Sequence, residues 1–354
     1  MTRHRDPGPG RGKDRATAAP SGLGRMALGA LAAMLLVADT TPLVAYLKLG
    51  FELNGKSRPL TWTQAPVRYF VADRGAPGVS PLDFRDAVGR AFATWAAVPT
   101  AAIGYQFDGF TAAAAGDDDG RTTLGFEARP DLDRVLASTS FLFDVVTGEL
   151  VESDIFFNTA FSWSVAAKGD RGGFDLETIA LHEIGHLSGL GHSALGETQL
   201  VDGGRRVTAV ASVMFPIAFG PGSIANRALQ ADDVAGISDL YPAPPFGDEL
   251  GSLSGRVTKN GRGVFGAHVV AFHLESGALV GNFSLDEQGR YSIAGLLPGT
   301  HVVRVEPVDD GDIESFFEDG QRVDLDFRPA FFPRLIVVAS GANRAGVDIA
   351  VASK

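Results

Sequence analysis

Residues 182–192 read HEIGHLSGLGH. On a helix, His182 and His186 are four positions apart, so they project from one face into a single coordination sphere. Two imidazoles so placed can reach one zinc ion at about 2 Å. Gly189 lets the chain stop and reverse, because glycine takes the left-handed conformation cheaply. The reversal brings His192 back as a third ligand. Three protein ligands leave a fourth position for water, which is the catalytic arrangement and not the closed structural one. Glu183 directly follows the first histidine and can face that water. It is placed to take the proton of the attacking water and pass it to a leaving amine.

Five fixed positions (His, Glu, His, Gly, His) arise by chance at less than about 1 in 10⁶ per site from typical residue usage. Of the seven histidines, only His182, His186 and His192 lie between the leader and residue 250. His4 falls in the leader, and His268, His273 and His301 fall in a C-terminal region of different texture. His268 and His273 read as packed or exposed strand residues.

Several elements must position this motif. A strand is expected around Val67–Val71, rich in β-branched and aromatic residues. A helix then starts with Ser80 as N-cap, Pro81 at its first position and Asp83 at the third. Phe84, Val88, Ala91, Phe92 and Trp95 recur along it at helical spacing. Residues 112–120 (AAAAGDDDG) form a loop. Val135–Phe143 and Glu152–Phe157 read as two strands about a turn at Thr147-Gly148. The motif helix is expected over Leu176–Ser188, with Asp175 as its N-cap, Glu177 at the positive end of its dipole and Gly189 as its stop. A loop of about 35 residues follows, then a helix over Gln230–Leu240 and a linker at Tyr241–Pro245. Beyond Gly251, short alternating stretches read as a small all-β sandwich: Leu253–Val257, Ala267–His273, Tyr291–Ile293, His301–Val305 and Leu335–Val338.

The composition is that of an ordinary globular protein, 45% apolar and 21% charged over 354 residues. Net charge is -11, and the leader is basic, so the body is acidic. An acidic body repels phosphate backbones, which argues against nucleic acid as a partner. The absence of cysteine excludes disulfides, thiolate metal sites and a cysteine nucleophile. Residues 1–45 read as a leader: a basic stretch ending at Arg25, then the apolar run Met26–Ala38, with small residues at Ala38 and Ala45 as cleavage points. The run is too short to span a bilayer alone. Secretion is the expectation, with an uncleaved membrane anchor as the alternative.

The motif matches the extended HExxHxxGxxH pattern of the metzincin zinc peptidases, which is followed by a methionine turn. Ser212-Val213-Met214-Phe215-Pro216 is the candidate turn, with Met214 bracing the histidines from beneath. Within the metzincins the chain resembles a matrixin. Ser193 follows the third histidine, Phe215-Pro216 is similar to the matrixin turn, and Glu152–Asn158 resembles the strand that precedes the zinc helix. Leu229–Val234 with Ile237 and Tyr241 resembles the C-terminal helix, where the acidic pair is structural. The resemblance implies an α+β domain over residues 46–245, a twisted mixed sheet plus the zinc-binding helix, followed by the sandwich at 250–354. It implies endopeptidase activity with one catalytic zinc ion. A protein or peptide substrate would pair with the edge strand near Val135–Phe143, and Met214–Ala218 would wall the adjoining side-chain pocket. Thr178 is a weaker candidate for that pocket.

Two departures matter. A cysteine switch is excluded, and the extra histidines of a second zinc are absent. Asp117, Asp118, Asp119, Asp144, Glu149 and Asp154 are oxygen donors that could serve calcium, although a solvated loop is the preferred reading of Asp117–Asp119. The C-terminal segment resembles the carboxypeptidase-regulatory-like, transthyretin-like sandwich, through Gly255-Arg256-Val257, Asp286…Gly289-Arg290-Tyr291-Ser292-Ile293 and Leu297-Pro298-Gly299. No catalytic constellation is evident in it. It would serve folding, cell-surface attachment or substrate engagement. A monomer is expected. Two competing functions remain: a binding protein that keeps zinc for structure, and a zinc hydrolase of a non-peptide substrate.

Overall fold

The computed structural model describes residues 48–54, 56–202, 204–317 and 321–354. The Met26–Ala38 run and both cleavage points lie outside them. Among the described residues no helix is long and apolar enough to cross a membrane.

The first half is built on a five-stranded mixed sheet. Its order is Tyr105–Thr111, Val67–Ala72, Thr122–Glu127, Leu150–Asn158 and Ala137–Phe143. The first four strands are parallel, and Ala137–Phe143 runs antiparallel at the edge. Helix α1 (Pro81–Ala96) starts where the sequence places it, with the Ser80 hydroxyl accepting from the Asp83 N–H. Its stripe of Phe84, Val88, Ala91, Phe92 and Trp95 is buried against the sheet. Helix α2 (Leu176–Leu187) carries the motif and is capped by Asp175. Its Leu176, Ala180, Leu181, Ile184 and Leu187 are fully enclosed, and the Trp95 indole N–H donates to Leu181 O across the two helices. Tertiary burial, more than propensity, therefore holds α2 in place.

Two sequence expectations are corrected. The loop after the motif is not structureless: Gly196–Val201 and Gly204–Val210 pair as an antiparallel hairpin. The strand pattern there is polar and mostly exposed, so it lacks the apolar alternation that marks a buried strand. Tyr241–Pro245 is not a free linker. Tyr241 is buried, its hydroxyl donating to Ser188 O and accepting from the Trp62 N–H. Pro244 opens a short helix, α4 (Pro244–Glu249), after α3 (Ala231–Leu240). Strands Tyr105–Thr111 and Thr122–Glu127 also went unforeseen.

Residues beyond 250 form two five-stranded sheets. One centres on Gly251–Lys259 and Arg290–Leu296, the other on His268–His273, Leu279–Phe283 and Gly299–Glu306. Leu253, Val257 and Ile293 from one sheet and Val269, Ala271 and Val303 from the other share one core. Ala235 of α3 belongs to that core too, so the two halves of the chain are packed together. His268, His273 and His301 are all buried.

Candidate metal centre

Helix α2 presents His182 and His186 on one face, as the spacing requires. Gly189 has φ of 95°, and a Cβ there would lie 2.3 Å from Leu60 O. Both conformation and space demand glycine at the stop. The turn returns His192 to the other two.

Each imidazole is oriented by a backbone carbonyl. His182 Nδ1 donates to Val213 O at 2.8 Å, His186 Nδ1 to Leu190 O at 2.8 Å, and His192 Nδ1 to Ser315 O at 2.6 Å. A carbonyl only accepts, so each Nδ1 carries its proton, and in the neutral ring Nε2 is the acceptor atom that can bind a metal. The three Nε2 atoms converge: His186 Nε2 lies 3.1 Å from Nε2 of both His182 and His192. Ligand nitrogens on a tetrahedral zinc stand about 3.3 Å apart. Three imidazole nitrogens at this spacing fit a cation. Zinc suits the all-nitrogen set.

Glu183 is buried beside them, and its Oε2 accepts from the Thr139 hydroxyl at 2.6 Å. Thr139 lies on the edge strand Ala137–Phe143, where no residue pattern marks it out.

Met214 sits under α2. A Cβ on Gly185 would fall 2.2 Å from Met214 Sδ, so the helix approaches the sulfur through a glycine. The turn around Met214 is held by Asp233 of α3. Its buried carboxylate accepts from Ser212 Oγ at 2.6 Å, Val213 N at 2.9 Å and Met214 N at 3.3 Å. Since Val213 O orients His182, Asp233 acts on the first histidine through one peptide unit. Its neighbour Asp232 accepts from Ser193 Oγ at 2.6 Å, next to the third histidine. Burial and the adjacent Asp233 carboxylate push Asp232 up to about 7.

Other expectations fall elsewhere. The Thr178 hydroxyl donates to Asp175 in the helix cap. Asp154 accepts from the N–H groups of Thr123 and Gly116, and Asp144 from those of Val146 and Thr147. Glu149 accepts from the Thr63 hydroxyl. Asp119 accepts from the Arg121 N–H and Asp117 from the Ala114 N–H. Among the described residues, the three histidines are the only group of three ligating side chains that converges.

Fold and site together give a three-histidine cluster that could hold a metal ion, on an α+β scaffold with a buried carboxylate at its side. The family model described as Matrixin matches residues 61–242, more than half of the chain. The chain belongs to the matrixins, a family of zinc metallopeptidases. It is similar to Metalloendoproteinase 4-MMP of Arabidopsis thaliana, 28% identical over 193 residues, which are 53% of this chain and 47% of that protein. Metalloendoproteinase 5-MMP of the same plant is 37% identical over 86 residues, 24% of this chain and 19% of the relative. Matrix metalloproteinase-25 of Homo sapiens is 31% identical over 126 residues, 32% and 20% of the two chains. The chain thus spans less than half the length of these relatives.

Proposed function

We propose that this protein is a zinc-dependent endopeptidase, with zinc on His182, His186 and His192 and Glu183 as general base. The observation that carries the reading is the convergence of three Nε2 atoms beside a buried, hydrogen-bonded carboxylate. A site kept only for structure has no use for that carboxylate. Zinc held there supplies Lewis acidity towards water and the scissile carbonyl. Glu183 takes a proton from the attacking water and returns it to the leaving amine. Thr139 keeps the carboxylate turned to the site, and Met214 supports α2 from below.

The substrate is an extended protein segment. Ala137–Phe143 ends the sheet, so a peptide can add to it as a further strand. The basic and then apolar N-terminal residues support export. The C-terminal sheets are read as a carboxypeptidase-regulatory-like module. An acidic surface fits a protein substrate better than nucleic acid.

The test is cleavage of an unfolded protein by wild type and Glu183→Ala, with zinc content measured in both. Wild type should cut, a chelator should stop it, and the variant should bind zinc while losing about 10²–10⁴ in rate. If both hold zinc and neither cuts a broad peptide set, a non-peptide hydrolase or a binding role replaces this reading.

A further inference from the structure

His182 and His186 find their carbonyl acceptors in the first half of the chain. His192 does not: its acceptor, Ser315 O, is 123 residues away in the C-terminal half. Ser315 ends a single 3-10 turn, Ile313–Ser315. The turn closes on itself, with the Ser315 N–H donating to Asp312 O and the Phe316 N–H to Ile313 O, both at 2.9 Å.

Buried side chains anchor this turn. Phe316 and Phe317 pack on Phe283, with ring centroids 5.7 and 5.0 Å away, and Phe317 also meets Phe265 at 5.5 Å. The Phe316 ring stands edge-on to the His192 ring at 6.5 Å. Gly311 makes room, since a Cβ there would lie 2.8 Å from the Phe316 ring. Asp310 extends the clamp. Its carboxylate accepts from the Thr198 N–H at 2.8 Å and its carbonyl from the Thr198 hydroxyl at 3.0 Å, tying down the hairpin after His192. A second tie reaches the neighbouring residue. Asp232, which accepts from Ser193, also accepts from the Gly281 N–H at 2.9 Å.

We propose that residues 309–317 of the C-terminal half are a positioning element of the metal centre, with Ser315 O fixing the tautomer and ring direction of His192. The proposal rests on the reading that the three histidines hold zinc. A module that only attaches the enzyme to a surface needs a tether. This one delivers a hydrogen-bond acceptor to His192 and sets its own aromatic ring edge-on beside it. Groups that orient ligating histidines govern metal affinity as well as local order. The C-terminal half is thus a working part of the peptidase site.

The test uses the full chain and reads zinc affinity by competition with a chromophoric chelator, and the visible spectrum of the cobalt-substituted protein. Phe316→Ala and Gly311→Val disturb the turn from opposite sides. Phe316→Leu is the conservative rescue. Phe327→Leu, in the other core of the same half, lowers stability without touching the turn. The expected result is zinc affinity weakened by about 10–100-fold in Phe316→Ala and Gly311→Val, with altered cobalt bands. Phe316→Leu should regain most of the affinity, and Phe327→Leu should match wild type at each site readout. Zinc affinity within twofold of wild type in the first two variants overturns the proposal. So does an equal loss in Phe327→Leu, which would make the effect one of stability alone. A wild type that takes up no zinc overturns the reading of the site itself, and this inference with it.

Discussion

Thr139 Oγ1 stands 2.6 Å from Glu183 Oε2 and 3.2 Å from the carbonyl oxygen of the same residue. A hydroxyl has one proton, and the shorter contact goes to the carboxylate. The edge strand that borders the site therefore also aims the base. Thr139→Val keeps the shape and removes the donor. A hydrogen bond to a charged group contributes about 1.5–3 kcal/mol, so kcat/KM should fall about tenfold or more while zinc content stays at wild-type level. Thr139→Ser should keep most of the activity. Peptide-cleavage kinetics with zinc analysis decide it; wild-type kcat/KM in Thr139→Val would remove Thr139 from any role at the base.

The converging histidine triad was legible because a motif built for a metal fixes residue spacing along a helix, and spacing is what a sequence records. Gly189 was legible for the same reason. Thr139 was not, because strand periodicity gives the face a residue occupies and not its partner across a sheet–helix interface. Ser315 leaves no trace at all, since its contribution is a backbone carbonyl that any residue could supply. The acidic pair Asp232-Asp233 could be read as structural, yet only the packing of α3 shows that Asp233 grips the Met214 turn while Asp232 bridges to Gly281. The hairpin at 196–210 had a turn signal in Asp202-Gly203-Gly204, but its exposed strands lack apolar alternation.

Gly185 and Met214 should show coupling. Glycine to alanine inside a helix normally stabilises by about 1 kcal/mol. Here the new methyl would meet Met214 Sδ at 2.2 Å and Trp95 Cζ2 at 3.0 Å, and Asp233 holds the methionine's backbone in place. Overpacking of this kind costs about 1–3 kcal/mol, so the sign should reverse and Gly185→Ala should melt lower than wild type. Adding Met214→Ala should recover part of the loss, a non-additivity that a double-mutant cycle measures. Strictly additive melting shifts would show that the two residues do not compete for space.

Arg227 should matter to the helix that carries the site. Its guanidinium grips both carboxylate oxygens of Asp175, with Nε to Oδ2 at 2.9 Å, and also donates to Ala166 O at 3.0 Å. Asp175 in turn caps α2 through the Thr178 N–H at 2.9 Å. Lysine keeps the charge but cannot reproduce the two-pronged grip. Arg227→Lys should cost about 1–3 kcal/mol, seen as a lower urea midpoint with an unchanged slope. An unchanged midpoint would mean that the cap stands without the arginine.

Stability should fall as pH rises from about 5 to 8, in part through Asp154. This side chain is buried between the sheet and the 112–120 loop, accepting from Thr123 N at 2.7 Å and Gly116 N at 2.5 Å. Burial outweighs those bonds and pushes its carboxyl up to about 7, with Glu152 and Asp119 acting in the same direction. An unfolded aspartate releases its proton near about 3.9. Between about 4 and 7 the folded chain therefore binds more protons than the unfolded one, and stability declines with rising pH. Asp232, also raised to about 7, adds a parallel slope. Carboxylates with lowered values, such as Glu306 beside His268, lose their contribution only at more acid pH, outside this window. Asn at position 154 imitates the protonated form at every pH. Asp154→Asn should therefore melt above wild type by a margin that grows from pH 5 to pH 8, which narrows the gap between the two conditions. Comparing variant with wild type at each pH cancels the titration of the histidines, which both proteins share. Melting curves whose wild-type and variant gaps are equal would show that Asp154 is already ionised in the folded protein at pH 5.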